Sequence, residues 1–132
     1  MLDHMYMYKY SFTLFLVPPD SLNIVDQVNG SVVEVLYTAP TVTLVCRASN
    51  SRPAATMKWF RNNEEVTTGV VTTITPVGSS KLENAETTLT LSPKYPDDNN
   101  VQFTCQAYNN ALINGPLKSV VTLSVLCKYC LV

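Results

Sequence analysis

Thr41-Val-Thr-Leu-Val-Cys46, Met57-Lys-Trp-Phe60 and Val101-Gln-Phe-Thr-Cys105 are three short runs, each holding one residue that a β core would bury: Cys46, Trp59 and Cys105. With a side-chain period of two, Val42, Leu44 and Cys46 share one face of the first run, and Val101, Phe103 and Cys105 share one face of the third. Both sulfurs therefore point into one interior. The arrangement this predicts is a two-sheet sandwich stapled by a disulfide, with the indole packed on the bridge. Such a bridge persists only in an oxidising compartment, because the cytosolic glutathione pool keeps thiols reduced. Closing a loop of 59 residues, it is worth about 4 kcal/mol in the chain-entropy model, comparable with the net stability of a small domain.

Outward from these runs the chain reads as short strands separated by turn residues. Ser21-Leu-Asn-Ile-Val25 alternates as an edge strand after Pro18-Pro19, which holds the approach extended. Ser31–Leu36 puts Val33 and Val35 on one face and Glu34 on the other. Thr41–Ala48 is the first cysteine strand, ended by the turn-rich Ser49–Ala55. Thr56–Arg61 carries Trp59 and ends in a hairpin turn over Asn62-Asn-Glu-Glu65. Val70–Thr75 is β-branched throughout and stops at Pro76. Glu86–Leu91 buries Leu89 and Leu91, Ser92–Asn100 is a long corner between sheets, and Val101–Tyr108 is the second cysteine strand. The last strand, Leu117–Leu126, places Val121, Leu123 and Val125 on one face. Eight or nine strands without a helical period predict an all-β sandwich of two sheets. Its predicted core includes Leu44, Trp59, Leu89, Leu91, Phe103, Val121 and Leu123.

A chain of 132 residues accommodates one such domain, which needs about 100 residues, plus two tails. Residues 1–17 read as a leader or upstream segment: Phe12–Val17 is too short for a signal-peptide apolar region, and Pro18-Pro19 replaces the small residues of a cleavage site. The domain is placed at 18–126 and a C-terminal tail at 127–132. Nine basic against ten acidic residues give a formal charge of −1, with no basic patch to hold a nucleic acid. The single histidine, His4, lies in the upstream segment, so no histidine-centred triad forms inside the domain and no enzyme activity is expected. Asp97-Asp98 and Glu64-Glu65 sit in turns where adjacent side chains diverge. Cys127-Lys-Tyr-Cys130 has the spacing of a redox pair or half a zinc site, but no helix follows to lower a thiol pKa and further zinc ligands are lacking. Pairing with another segment, or lipid attachment, are the other readings of that tail. No metal or cofactor is expected. Asn29-Gly30-Ser31 is a sequon, making Asn29 a candidate glycosylation site.

Cys46-Arg-Ala-Ser-Asn-Ser-Arg-Pro53 leading to Met57-Lys-Trp59, together with Thr88-Leu-Thr-Leu-Ser-Pro93 and Phe103-Thr-Cys-Gln-Ala-Tyr-Asn109, resembles the C2-type immunoglobulin domains of B7-type costimulatory ligands and of nectin, nephrin and Kirre-like adhesion receptors. The resemblance runs from about Pro18 to Leu126 and implies an all-β, two-sheet antiparallel immunoglobulin-like sandwich with Greek-key connections. Two positions depart from it. Phe103 stands where the family carries a tyrosine whose hydroxyl ties the corner, a loss of about 1 kcal/mol of hydrogen bonding. Asn99 stands where the family favours an aspartate that pairs with a basic residue at the base of the sheet, and Asp97 and Asp98 lie just upstream.

The resemblance implies an extracellular module of a cell-surface receptor, beside further Ig-like domains in a parent chain and acting by recognition of another cell-surface protein in cell–cell adhesion. Its alternatives are a passive spacer domain and an immune-type receptor or costimulatory ligand. No run of about 20 apolar residues is present, so a membrane anchor would lie outside this chain. In such families the contact surface is the sheet carrying the Trp59, Cys105 and final strands. Alternation points Lys58 and Phe60 outward from one strand, and Gln102, Thr104, Gln106 and Tyr108 outward from the next. These six are the candidate protein-binding residues, with Phe60 and Tyr108 as aromatic anchors. The plainer reading of the two aromatics is that they cover each other across neighbouring strands.

Overall fold

The computed structural model describes residues 16–128; the reading of residues 1–15, with His4, and that of Cys130 fall outside them. Nine strands occur among the described residues: β1 (Ser21–Ile24), β2 (Ser31–Leu36), β3 (Val42–Ser51), β4 (Thr56–Arg61), β5 (Glu64–Val66), β6 (Val70–Val77), β7 (Leu82–Leu91), β8 (Val101–Tyr108) and β9 (Leu117–Leu126). They form a four-stranded sheet in the order β1-β3-β7-β6 and a five-stranded sheet in the order β2-β9-β8-β4-β5. Pairing is antiparallel apart from β2, which runs parallel to β9.

The two sheets meet on the predicted inward positions. Cys46 on β3 is bonded to Cys105 on β8 with Cα atoms 6.5 Å apart, and both residues are fully buried. Trp59 lies directly opposite Cys105 on β4, so its indole occupies the same interior face as the bridge. The ring is wholly buried and its Nε1 has no hydrogen-bond partner among the described residues. Leaving an N–H unpaired costs about 1–3 kcal/mol, and burial of roughly 150–250 Å² of aromatic surface offsets this at about 25 cal/mol per Å². Leu44, Leu89, Phe103, Val121 and Leu123 complete the buried cluster, and Leu91 packs against it half-buried.

Where the structure departs from the sequence expectation, an edge or a bulge is the cause. Val17, assigned above to the upstream segment, already belongs to the domain: it exchanges two backbone hydrogen bonds with Arg52, at 2.8 and 2.9 Å, and its carbonyl accepts from Asn109 Nδ2 at 2.8 Å. Ser49–Ser51 is strand, not loop. The register shifts between Ala48 and Ser51, with Asn50 at φ 58°, a conformation asparagine tolerates and a bulge requires. The bulge is held by Asn50 N donating to Asn84 Oδ1 at 2.9 Å and Asn50 Nδ2 donating to Asp20 Oδ2 at 2.8 Å. The hairpin turn after β4 is only Asn62-Asn63. Glu64–Val66 returns as an edge strand with Val66 opposite Trp59 and Glu65 opposite Phe60. Pro76 does not stop β6, because β6 is an edge strand and an edge has one side on which a missing N–H is harmless. Strand β7 begins at Leu82, four residues before the expected start, to pair with that extension.

At the corner between β7 and β8 the basic residue at the base of the sheet has a carboxylate partner one residue before Asn99. That partner is Asp98: its Oδ1 lies 3.2 Å from Arg61 Nη2 and its Oδ2 accepts from Lys94 N at 2.7 Å. Arg61 Nη2 also donates to the Asp97 carbonyl at 2.8 Å. Asn99 has a different task, its Oδ1 accepting from Val125 N at 2.9 Å. The corner is therefore fastened by polar bonds from its own loop, and buried Phe103 supplies packing alone.

Two stability outcomes follow from this architecture. Replacing both bridge cysteines (Cys46→Ala with Cys105→Ala) should lower the unfolding free energy by about 4 kcal/mol, read as a fall in the denaturation midpoint. Gly69→Ala should cost about 1–3 kcal/mol, since Gly69 has φ 78° and an added Cβ would run into the Thr90 carbonyl oxygen; a midpoint unchanged within error would contradict this.

Candidate functional site

The outer face of the five-stranded sheet follows from the inner one. With Cys105, Phe103 and Val101 committed to the core, Gln102, Thr104, Gln106 and Tyr108 of β8 must face out. In the same way buried Met57 and Trp59 leave Lys58 and Phe60 of β4 on the outside, and buried Ser119 and Val121 leave Lys118 and Val120 of β9 there.

Register sorts these residues into rows across the sheet. Phe60 faces Thr104, which faces Val120; Lys58 faces Gln106, which faces Lys118; Gln102 faces Thr122. Tyr108 faces Thr56, so the Lys58–Gln106–Lys118 row separates it from Phe60. The two aromatics therefore do not cover each other, and the plainer reading of them fails. Tyr108 stands 40% exposed on the far row, whereas Phe60 is half-buried among its neighbours.

Phe60, Thr104 and Gln106 line a shallow concavity of about 280 Å³ with Asn62, Asn63, Lys118 and Val120. Lys58, Gln102 and Tyr108 stand outside it. The hairpin wall of this depression is rigid, because Asn62 N donates to the Gln102 carbonyl at 2.7 Å and Asn62 Oδ1 accepts from Gln102 N at 3.2 Å. Lys58 is engaged by Glu65 at 3.6 Å on an exposed surface, a contact worth little by itself. Among the described residues Lys118 is the one formally charged side chain lining the depression. Aromatic floor, amide rim and a single ammonium make a surface suited to another protein and offer no acid–base pair for catalysis.

Sequence reasoning placed the face but missed Asn62, Asn63, Lys118 and Val120. The available signal was strand pairing: once β9 is set beside β8, Lys118 and Val120 must adjoin Gln106 and Thr104. Asn29 is exposed in the turn before β2, with its Oδ1 accepting from Val120 N at 2.8 Å. Cys127 is disulfide-bonded.

Comparison with known proteins agrees with this geometry. Residues 24–113 match the CD80-like C2-set immunoglobulin domain family. The chain is 34% identical over 105 residues to Kin of IRRE-like protein 1 of Rattus norvegicus, covering 80% of this chain and 12% of that protein. It is likewise 34% identical over 105 residues to Kin of IRRE-like protein 3 of Mus musculus, covering 80% of this chain and 13% of the relative. Among solved structures it superposes on a crystal structure of Rst D1-D2 with a TM-score of 0.75 at 26% identity, over 84% of this chain and 51% of that one. The chain thus spans about an eighth of the curated relatives it matches. With its bridge, sheet order and family match in agreement, the chain belongs to the CD80-like C2-set immunoglobulin domains and is homologous to the Kirre-like cell-adhesion proteins.

Proposed function

We propose that this chain is an extracellular recognition domain of a cell-surface adhesion receptor, and that it meets another cell-surface protein through the outer face of its five-stranded sheet. The observation that carries the reading is the depression around Phe60, with its aromatic floor, its polar rim and the Lys118 ammonium. Phe60 is the anchor, being already half-enclosed so that a partner group completing its burial loses little water-facing polar surface. A surface complementary to Lys118 presents a carboxylate or a carbonyl oxygen. Neighbouring Ig-like domains in the parent chain fit the small share of each relative that this domain spans. An apolar pair, Leu36 opposite Leu126 at the end of β9, both exposed, gives such a neighbour something to cover.

The test is bead or cell aggregation by the full ectodomain. Phe60→Ala should weaken association by on the order of 2 kcal/mol, about 30-fold, and Lys118→Glu should slow association in a salt-dependent way. Val71→Ala with Ile74→Ala, on exposed positions of β6 in the other sheet, should leave it unchanged. Unaltered aggregation with both face variants, at unaltered melting temperature, would favour the passive spacer. Binding restricted to a different cell type would favour an immune-type receptor or costimulatory ligand.

A further inference from the structure

The turn between β1 and β2 holds the chain's one Asn-x-Ser/Thr sequon, Asn29-Gly30-Ser31. Its carboxamide has a defined orientation. Val120 N–H is a donor, so the atom it meets at 2.8 Å must be the Asn29 oxygen; Nδ2, the nitrogen that accepts a sugar, is thereby turned away from the sheet. Asn29 is exposed, and Gly30, at φ 86° and also exposed, adds no side chain beside it.

The position of that nitrogen gives the site a use. Strand β2 covers the outer edge of β9 only from Val121 onward. At Val120 the edge is capped by the turn itself, through Asn29 Oδ1 and through Gly30 N donating to the Val120 carbonyl at 2.7 Å. Two residues earlier, backbone alternation turns the Lys118 N–H and C=O toward the same edge, where no strand of the described residues lies beside them. Such a stub is a template for pairing with another chain.

We propose that Asn29 carries an N-linked oligosaccharide, planted at the open end of the β9 edge, where its bulk shields the Lys118 backbone from strand pairing. The transfer takes its sugar from a lipid-pyrophosphate-linked oligosaccharide. Asn29 Nδ2 forms a bond to the anomeric carbon as that carbon's bond to the pyrophosphate oxygen breaks. The lipid pyrophosphate leaves with the electron pair, Nδ2 releases one proton, and nothing is oxidised or reduced. The glycan stands beyond the outer edge of β9, three strand spacings from Phe60 on β4, on the order of 14 Å at the usual strand spacing, so the depression stays open toward β4 and β5.

This inference rests on the extracellular reading above, and the experiment separates the two. The full chain is expressed behind a supplied secretion signal in a eukaryotic host, which delivers it to the glycosylation machinery whatever its natural route. Peptide mass mapping should find Asn29 occupied in the wild type and bare in Ser31→Ala, which keeps the Asn29 side chain and its bond to Val120. An unmodified Asn29 in the secreted wild type would overturn the site and leave the localisation untouched. Shielding is then read by sedimentation in the Phe60→Ala background, so that association through the sheet face is removed. The glycosylated protein should stay monomeric and the Ser31→Ala version should self-associate; equal monomericity would overturn the shielding role.

Discussion

A disulfide buried between two sheets, with an indole set against it, fixes the phase of everything else in this domain. Cys46 commits β3 and Cys105 commits β8, one in each sheet, and Trp59 commits β4 through its register with Cys105. Because side chains alternate along a strand, a slip of one residue would send an entire buried set to solvent. Three residues at the centre therefore decide which side chains of β4 and β8 look outward, and the proposed recognition surface is in that sense the complement of the core.

The remainder of the fold is fastened at its margins by polar bonds, each suited to a place where the core cannot reach. Asn109 is buried and joins three segments at one end: its Nδ2 donates to the carbonyls of Val17 and Pro53, at 2.8 and 3.1 Å, and its Oδ1 accepts from Ala111 N. At the corner before β8, Asp98 reaches Arg61 and the Lys94 amide while Asn99 accepts from Val125 N, so two side chains hold the corner. The corner is anchored at Asp98, since a carboxylate needs only to reach Arg61.

Much of this was legible in the chain because burial leaves a period of two. Leu44, Leu89, Phe103, Val121 and Leu123 were readable for that reason, as were the outward positions of Lys58, Phe60 and the β8 residues. What escaped lay where a strand has only one neighbour or changes register. Ser49-Asn50-Ser51 carries turn residues yet forms a bulged strand, Glu64–Val66 is too short to show a period, and Pro76 is compatible with a strand only once β6 is known to be an edge. The depression was hidden for a related reason. Phe60 with Thr104, and Gln106 with Lys118, become neighbours only through cross-strand register, which no single stretch of sequence encodes. The same missing register made Phe60 and Tyr108 look able to cover each other.

The most direct measurement of the central claim, that recognition uses the outer face of the five-stranded sheet, is amide hydrogen exchange on the full ectodomain, free and bound to its cell-surface partner. The account predicts that binding slows exchange in β4, in the Asn62-Asn63 turn and in β8 and β9 around Thr104, Gln106 and Lys118, leaving the β1-β3-β7-β6 sheet unchanged. Slowed exchange confined to that second sheet, with the Phe60 surface unaltered, would contradict it.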